Sequence, residues 1–236
     1  MALNTVKVTA ESLKRREKRL KRIKRYALIV LLILVSLFIV LSLVYKGGRF
    51  TVTLDPQFAL KSGIILYENK EDRLSVKKLY AQNIDFMDNI SIKWIPEDID
   101  NESDGSHNGE NFIAYTFYLE NTSDRNINYW YELYIDDVIK NVDEAVRIMV
   151  IQDGKKVVYA KKNNLTNIAE PDTKEFYSKE QPILEERKAF EPNQVDKYTI
   201  VIWLEGDDPD CVDAIIGGEI KMHMEIREEQ VEQEGE

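Results

Sequence analysis

The chain has 236 residues and a formal net charge of −10, but the charge is unevenly divided. Residues 1–25 hold ten basic and two acidic residues, a net of +8, which leaves −18 on the remaining 211. A basic leader and an acidic body call for different surroundings. The single cysteine and two scattered histidines exclude a disulfide-stapled miniprotein and a zinc-finger protein.

The first element is a cytoplasmic basic leader, residues 1–25, whose densest part is Leu13–Arg25 (LKRREKRLKRIKR). Tyr26–Tyr45 (YALIVLLILVSLFIVLSLVY) follows with no charged residue. Twenty residues at 1.5 Å each give a helix of roughly 30 Å, the thickness of a hydrocarbon core. The positive-inside rule places the N-terminus in the cytoplasm and residues 46–236 outside, as a single-pass protein of the cell membrane. A cleaved signal peptide is the competing reading, but its apolar core is usually shorter and small residues are poorly placed near the exit. Residues 14–25 are expected to hold anionic lipids of the inner leaflet, at about 1 kcal/mol for each basic residue near the surface. No nucleic-acid partner is expected from this ladder.

Beyond the anchor the apolar period becomes two, the mark of strands. Runs of this kind occupy 50–54, 63–68, 74–79, 90–95, 111–120, 128–135, 145–152, 155–161, 198–204 and 219–226. In the last of them Ile220, Met222, Met224 and Ile226 share one face and Glu219, Lys221, His223 and Glu225 the other, so one face is wet. Tyr198–Leu204 is apolar on both faces and belongs in the middle of a sheet. Asp153-Gly154 suits a tight hairpin turn, because both residues tolerate positive φ. Helical spacing is confined to short pieces near Val138–Ala145 and Val212–Ile216, the second ended by Gly217-Gly218. The expected fold is mainly β: an antiparallel β-sandwich with Greek-key or jelly-roll-like connections over residues 46–227, preceded by the transmembrane helix at 26–45. Pro96–Glu110 and Asn163–Pro192 read as long exposed excursions, and residues 228–236 as a disordered acidic tail.

Val195–Cys211 (VDKYTIVIWLEGDDPDC), followed by Gly217–Met222 (GGEIKM), resembles the closing strands of bacterial surface proteins of the TasA/camelysin type. Phe117-Tyr118-Leu119-Glu120-Asn121 is similar to an earlier part of the same sandwich. The resemblance covers about half of the outer region. It implies an extracellular β-sandwich of Gram-positive bacteria, exported and assembled into matrix fibres in some members. Those proteins usually begin with a cleavable signal; this chain begins with the basic leader and the long apolar span.

Residues that could carry chemistry are few. His107 lies in an acidic stretch and His223 on the polar side of the last strand, and no HExxH helix is present, so the metallopeptidase activity described for camelysin has no matching motif. Cys211 follows Asp207-Asp208-Pro209-Asp210 and is expected as a buried or capping cysteine in preference to a nucleophile. Asp98, Asp100, Glu102 and Asp104 alternate along one loop and could offer oxygen ligands to calcium, although the spacing departs from an EF-hand. Tyr129, Tyr131, Leu133 and Ile135 are expected in the core, which leaves Trp130 and Tyr134 on the second face. Asn89, Asn101, Asn121 and Asn164 head Asn-x-Ser/Thr triplets, which matter only in a eukaryotic secretory pathway.

No catalytic, cofactor-binding or metal residue is therefore assigned. The expected function is non-enzymatic: a structural or adhesive surface module, with self-association or another envelope protein as partner. An accessory ligand- or partner-binding subunit is the alternative, and a surface protease is the disfavoured third reading.

Overall fold

The computed structural model describes residues 10–46 and 50–228. The chain divides into two compact units, Met1–Gly48 and Arg49–Glu236.

In the first unit a single helix, α1 (Ala10–Lys46), joins the basic leader to the apolar run without a break. Its stretch Arg15–Leu41 is long and apolar enough to cross a membrane. The large apolar side chains from Leu20 to Leu41 are exposed all round the helix, Phe38 by 72%. A stretch of helix apolar on every side is at odds with water. Ser36, a polar residue within this stretch, returns its hydroxyl to the Ile33 carbonyl at 2.8 Å.

The second unit is a β-sandwich of two sheets. One contains β1 (Thr51–Leu54), β3 (Lys78–Tyr80), β6 (Ile127–Ile139), β10 (Ile183–Phe190) and β12 (Glu219–Arg227), in the order β10-β6-β12-β1-β3. The other runs β2-β5-β11-β7-β8-β9, with β4 also beside β5. Its strands are β2 (Ile64–Tyr67), β4 (Gly105–Ser106), β5 (Phe112–Asn121), β7 (Val146–Gln152), β8 (Lys155–Ala160), β9 (Lys174–Glu175) and β11 (Val195–Leu204). Pairing is mostly antiparallel, with β1 parallel to β12 and β8 parallel to β9. The chain passes repeatedly from one sheet to the other, and β7 and β8 form a hairpin across Asp153 and Gly154, at φ 48° and 79°.

The main core lies between the sheets and includes Val52, Leu66, Phe117, Tyr129, Leu133, Ile148, Tyr198, Ile200 and Met224. As the alternation predicts, β12 turns Met222, Met224 and Ile226 inward, and β11 lies between β5 and β7 with both faces covered. Val201 and Trp203, on the far side of β11, belong to a second core with Ile90, Ile95, Ile99, Phe112, Ala114, Met149 and Ile151.

That second core corrects the reading of Pro96–Glu110 as an exposed excursion. Ile99 is fully buried, and both ring nitrogens of His107 meet carbonyls, Gly105 O at 2.9 Å and Ile99 O at 3.0 Å. The segment covers the outer face of the seven-stranded sheet. Asn163–Pro192 is likewise no mere excursion: it contains β9 and the whole of β10, and buries Phe176, Ile183 and Phe190. The run 90–95 is not a strand. Ile90 makes one bridge to Glu205 and Ile92–Trp94 is a 3-10 turn that buries the flanking Ile90 and Ile95. The run 74–79 shrinks to β3 and an isolated Val76–Leu66 bridge. A short helix, α2 (Pro56–Ser62), is added: Asp55 Oδ1 accepts the Phe58 N–H at 2.7 Å, proline opens the first turn, and Gly63 closes the helix at φ 79°. Of the tail at 228–236, only Glu228 is among the described residues.

Candidate functional site

Two clusters bring ionisable side chains together. The first lies within the sandwich. On β10, Glu185 pairs in register with Tyr131 and Arg187 with Tyr129, so both charged side chains point into the space between the sheets. Arg187 Nε donates to Asp196 Oδ2 at 2.8 Å, Tyr129 donates its hydroxyl to the same oxygen at 2.7 Å, and Tyr198 meets Tyr129 at 2.8 Å. The Asp196 side chain is wholly buried and that of Arg187 is 21% exposed. Burial, reinforced by the nearby Asp196 charge, pushes the Tyr129 and Tyr198 hydroxyls well above their ordinary range. Tyr159 is pushed up chiefly by burial and donates to Glu185 at 3.2 Å, and Glu185 also pairs with Lys174. This network locks edge strand β10 to the opposite sheet, and inward-pointing charges also protect an open edge from pairing with another chain.

The second cluster joins the connection after β8 to the one after β11. Glu170, Asp208 and Asp210 bring one carboxylate oxygen each within 4.8 Å of one another, the one grouping with metal-ligand geometry among the described residues. The cation they meet belongs to the chain: Arg147 Nη2, from buried β7, lies 2.5 Å from Asp208 Oδ2 and 3.9 Å from Glu170 Oε2. Asp210 accepts the Asn164 N–H at 2.8 Å, and Asp208 Oδ1 accepts the Asp210 N–H at 2.7 Å. A buried guanidinium within ion-pair distance of two carboxylates is a structural clasp.

The acids singled out from the sequence do not converge. Asp98, Asp100, Glu102 and Asp104 form no such grouping. Asp104 is committed to the Tyr118 hydroxyl at 2.5 Å and the Lys70 N–H at 2.9 Å. Millimolar calcium is therefore expected to leave the melting temperature unchanged; a rise that Asp104→Asn abolishes would show that the loop can still gather ligands.

His223 stacks on Tyr134 and meets Asp136 at 2.8 Å. Cys211 is a free thiol whose sulfur receives Asn89 Nδ2 at 3.2 Å. Tyr129, Tyr131 and Leu133 are in the core, while Trp130 and Tyr134 are half-buried on the second face. Beneath them Glu132, 1% exposed, takes Arg227 Nε at 2.5 Å, Gln181 Nε2 at 2.9 Å and the Tyr134 hydroxyl. Asn121 is buried and donates to the Arg125 and Phe190 carbonyls, so that triplet is structural. Sequence reasoning missed the Arg147 clasp and the Arg187–Asp196 pair. The Asp-Asp-Pro-Asp run was visible, but Glu170 and Arg147 are distant in sequence and reach it only through the fold.

No known protein family and no curated protein matches the sequence. Among solved structures, the β-glucosidase from Kluyveromyces marxianus in complex with glucose is similar at 10% identity, with a TM-score of 0.27. The match covers 78% of this chain and 18% of that one. A likeness of this size carries no argument about fold or function.

Proposed function

We propose that the chain is a single-pass membrane protein that displays its β-sandwich outside the cell as a non-enzymatic structural or adhesive module. The observation that carries this reading is the composition of α1, in which a basic segment of net +7, residues 10–25, is followed directly by twenty uncharged residues. The basic end stays in the cytoplasm by the positive-inside rule, with residues 14–25 on anionic lipid headgroups. The engagement of the sandwich's chemically versatile side chains supports a non-enzymatic role. His107 is held by two carbonyls, Asp208 by Arg147 and Asp196 by Arg187 and Tyr129. The resemblance to TasA/camelysin-type surface proteins points the same way.

Protease added to intact cells that produce the chain with an N-terminal tag should remove the sandwich and leave the tag protected inside. Loss of the tag with retention of the sandwich would reverse the orientation. A mature N-terminus near residue 46 would replace the anchor with a cleaved signal. A structural module should also self-associate once released from α1, whereas a monomer that captures another envelope protein would favour an accessory subunit.

A further inference from the structure

The two ends of the sandwich differ in what they expose. Thr51 lies opposite His223, the middle of β12, and Leu54 opposite Ile226, so β1 runs away from the end of the sandwich where β12 begins. At that end β6 finishes, β7 starts and β11 finishes, and Glu205 N donates to Ala145 O at 2.9 Å. Three loops meet there. The 90–94 turn is tied to Glu205 by the Ile92 N–H at 3.1 Å, and Asn164 is tied to Asp210. The 205–218 loop is held to the end of β6 by Lys140 Nζ, 2.6 Å from the Ile216 carbonyl.

These loops expose Ile92 (41%), Trp94 (73%), Leu165 (90%), Ile168 (66%), Val212 (52%) and Ile216 (65%). The connections at the opposite end are polar: Asp153-Gly154, Thr122–Asn126 and Glu191–Gln194, with Leu60 on α2 the apolar exception. Single exposed apolar residues are ordinary, but a collection at one end marks a surface that meets something.

The chain's connectivity identifies the occupant. Only residues 47–50 separate the last residue of α1 from the first of β1. However they are arranged, a step of five residues spans at most ~18 Å, which holds the start of β1 near any bilayer that α1 crosses. We propose that this end of the sandwich rests on the headgroup layer of that bilayer, with Trp94 at the interface, where indole rings are favoured. Exposed Asp207, Asp213 and Glu219 at the same end outnumber Lys93 and Lys140, so the lipid surface that fits is zwitterionic and not anionic.

The inference rests on α1 being a membrane span, and its test separates the two. The full chain is reconstituted into phosphatidylcholine vesicles with or without brominated acyl chains, and resistance to carbonate extraction is measured first. The Trp94 signal, read as the difference between the parent and Trp94→Phe, should lose about half its intensity in brominated vesicles, as expected of an interfacial indole. It should lose much less when phosphatidylglycerol replaces half the lipid, or in a Leu165→Glu/Ile216→Glu variant. A carbonate-resistant chain whose Trp94 signal ignores bromination overturns the docking and leaves the anchor standing. Release by carbonate overturns the anchor and the docking with it.

Discussion

Replacing Asp196 with alanine is expected to destabilise the sandwich by ~3–5 kcal/mol, because removing one partner leaves the other charge enclosed without compensation. Arg187 would lose its carboxylate, and the Tyr129 hydroxyl would lose its acceptor deep between the sheets. The loss approaches the whole stability of an ordinary domain, about 5–15 kcal/mol. Asp196→Asn keeps an acceptor for Tyr129 and should cost less. Arg187→Met/Asp196→Ala should recover part of the loss, since an apolar pair of similar volume is tolerated where half an ion pair is not. Urea unfolding of the detergent-solubilised chain measures all three. An Asp196→Ala midpoint equal to that of the parent would mean that water reaches Arg187 freely and that the pair does not join the sheets.

A second large effect is expected at high pH. Tyr115, Tyr129, Tyr159 and Tyr198 are all shifted upward, mainly by burial, and burial together with the Glu185 charge pushes Tyr131 up to about 12. A hydroxyl whose folded pKa exceeds its unfolded value contributes stability that is complete below about pH 10 and is lost as pH rises toward the folded value. Each such group removes up to ~1.4 kcal/mol per pH unit above 10, so five together can exhaust a typical folding free energy within one to two pH units. Tyrosinate absorbance should therefore appear as one steep step that coincides with loss of β-sheet circular dichroism. Gradual ionisation of these tyrosines near pH 10 with the sheet signal intact would contradict their burial.

Several strands were legible because their partners do not matter to their pattern. β12 alternates apolar and polar residues along its whole length, and β11 carries apolar residues on both faces, so position in the sheet follows from composition. The Asp153-Gly154 turn is equally local: two residues that tolerate positive φ join β7 to β8. β10 was hidden for the opposite reason. Its inward positions, Glu185 and Arg187, are charged and find partners on Tyr159, Lys174 and Asp196, all contributed by other strands. The 90–95 run misled because its apolar residues serve two ends: Ile90 and Ile95 enter the second core, and Ile92 and Trp94 remain outside.

The candidate clusters follow the same division. Alternating acids from Asp98 to Asp104 suggested a cation site, yet proximity in sequence did not bring their carboxylates together. Glu170, Asp208 and Arg147 do meet, from three separate parts of the chain. What the sequence determined by itself is whatever depends on local order: the uncharged run in α1, the basic flank before it, and the period-two strands after it. Tertiary structure decided which charges are buried and paired, that 96–110 covers a second core, and that scattered apolar loop residues gather at the end where β12 begins. Burial and pairing depend on groups brought together from distant positions, and hydrophobic periodicity carries no record of them.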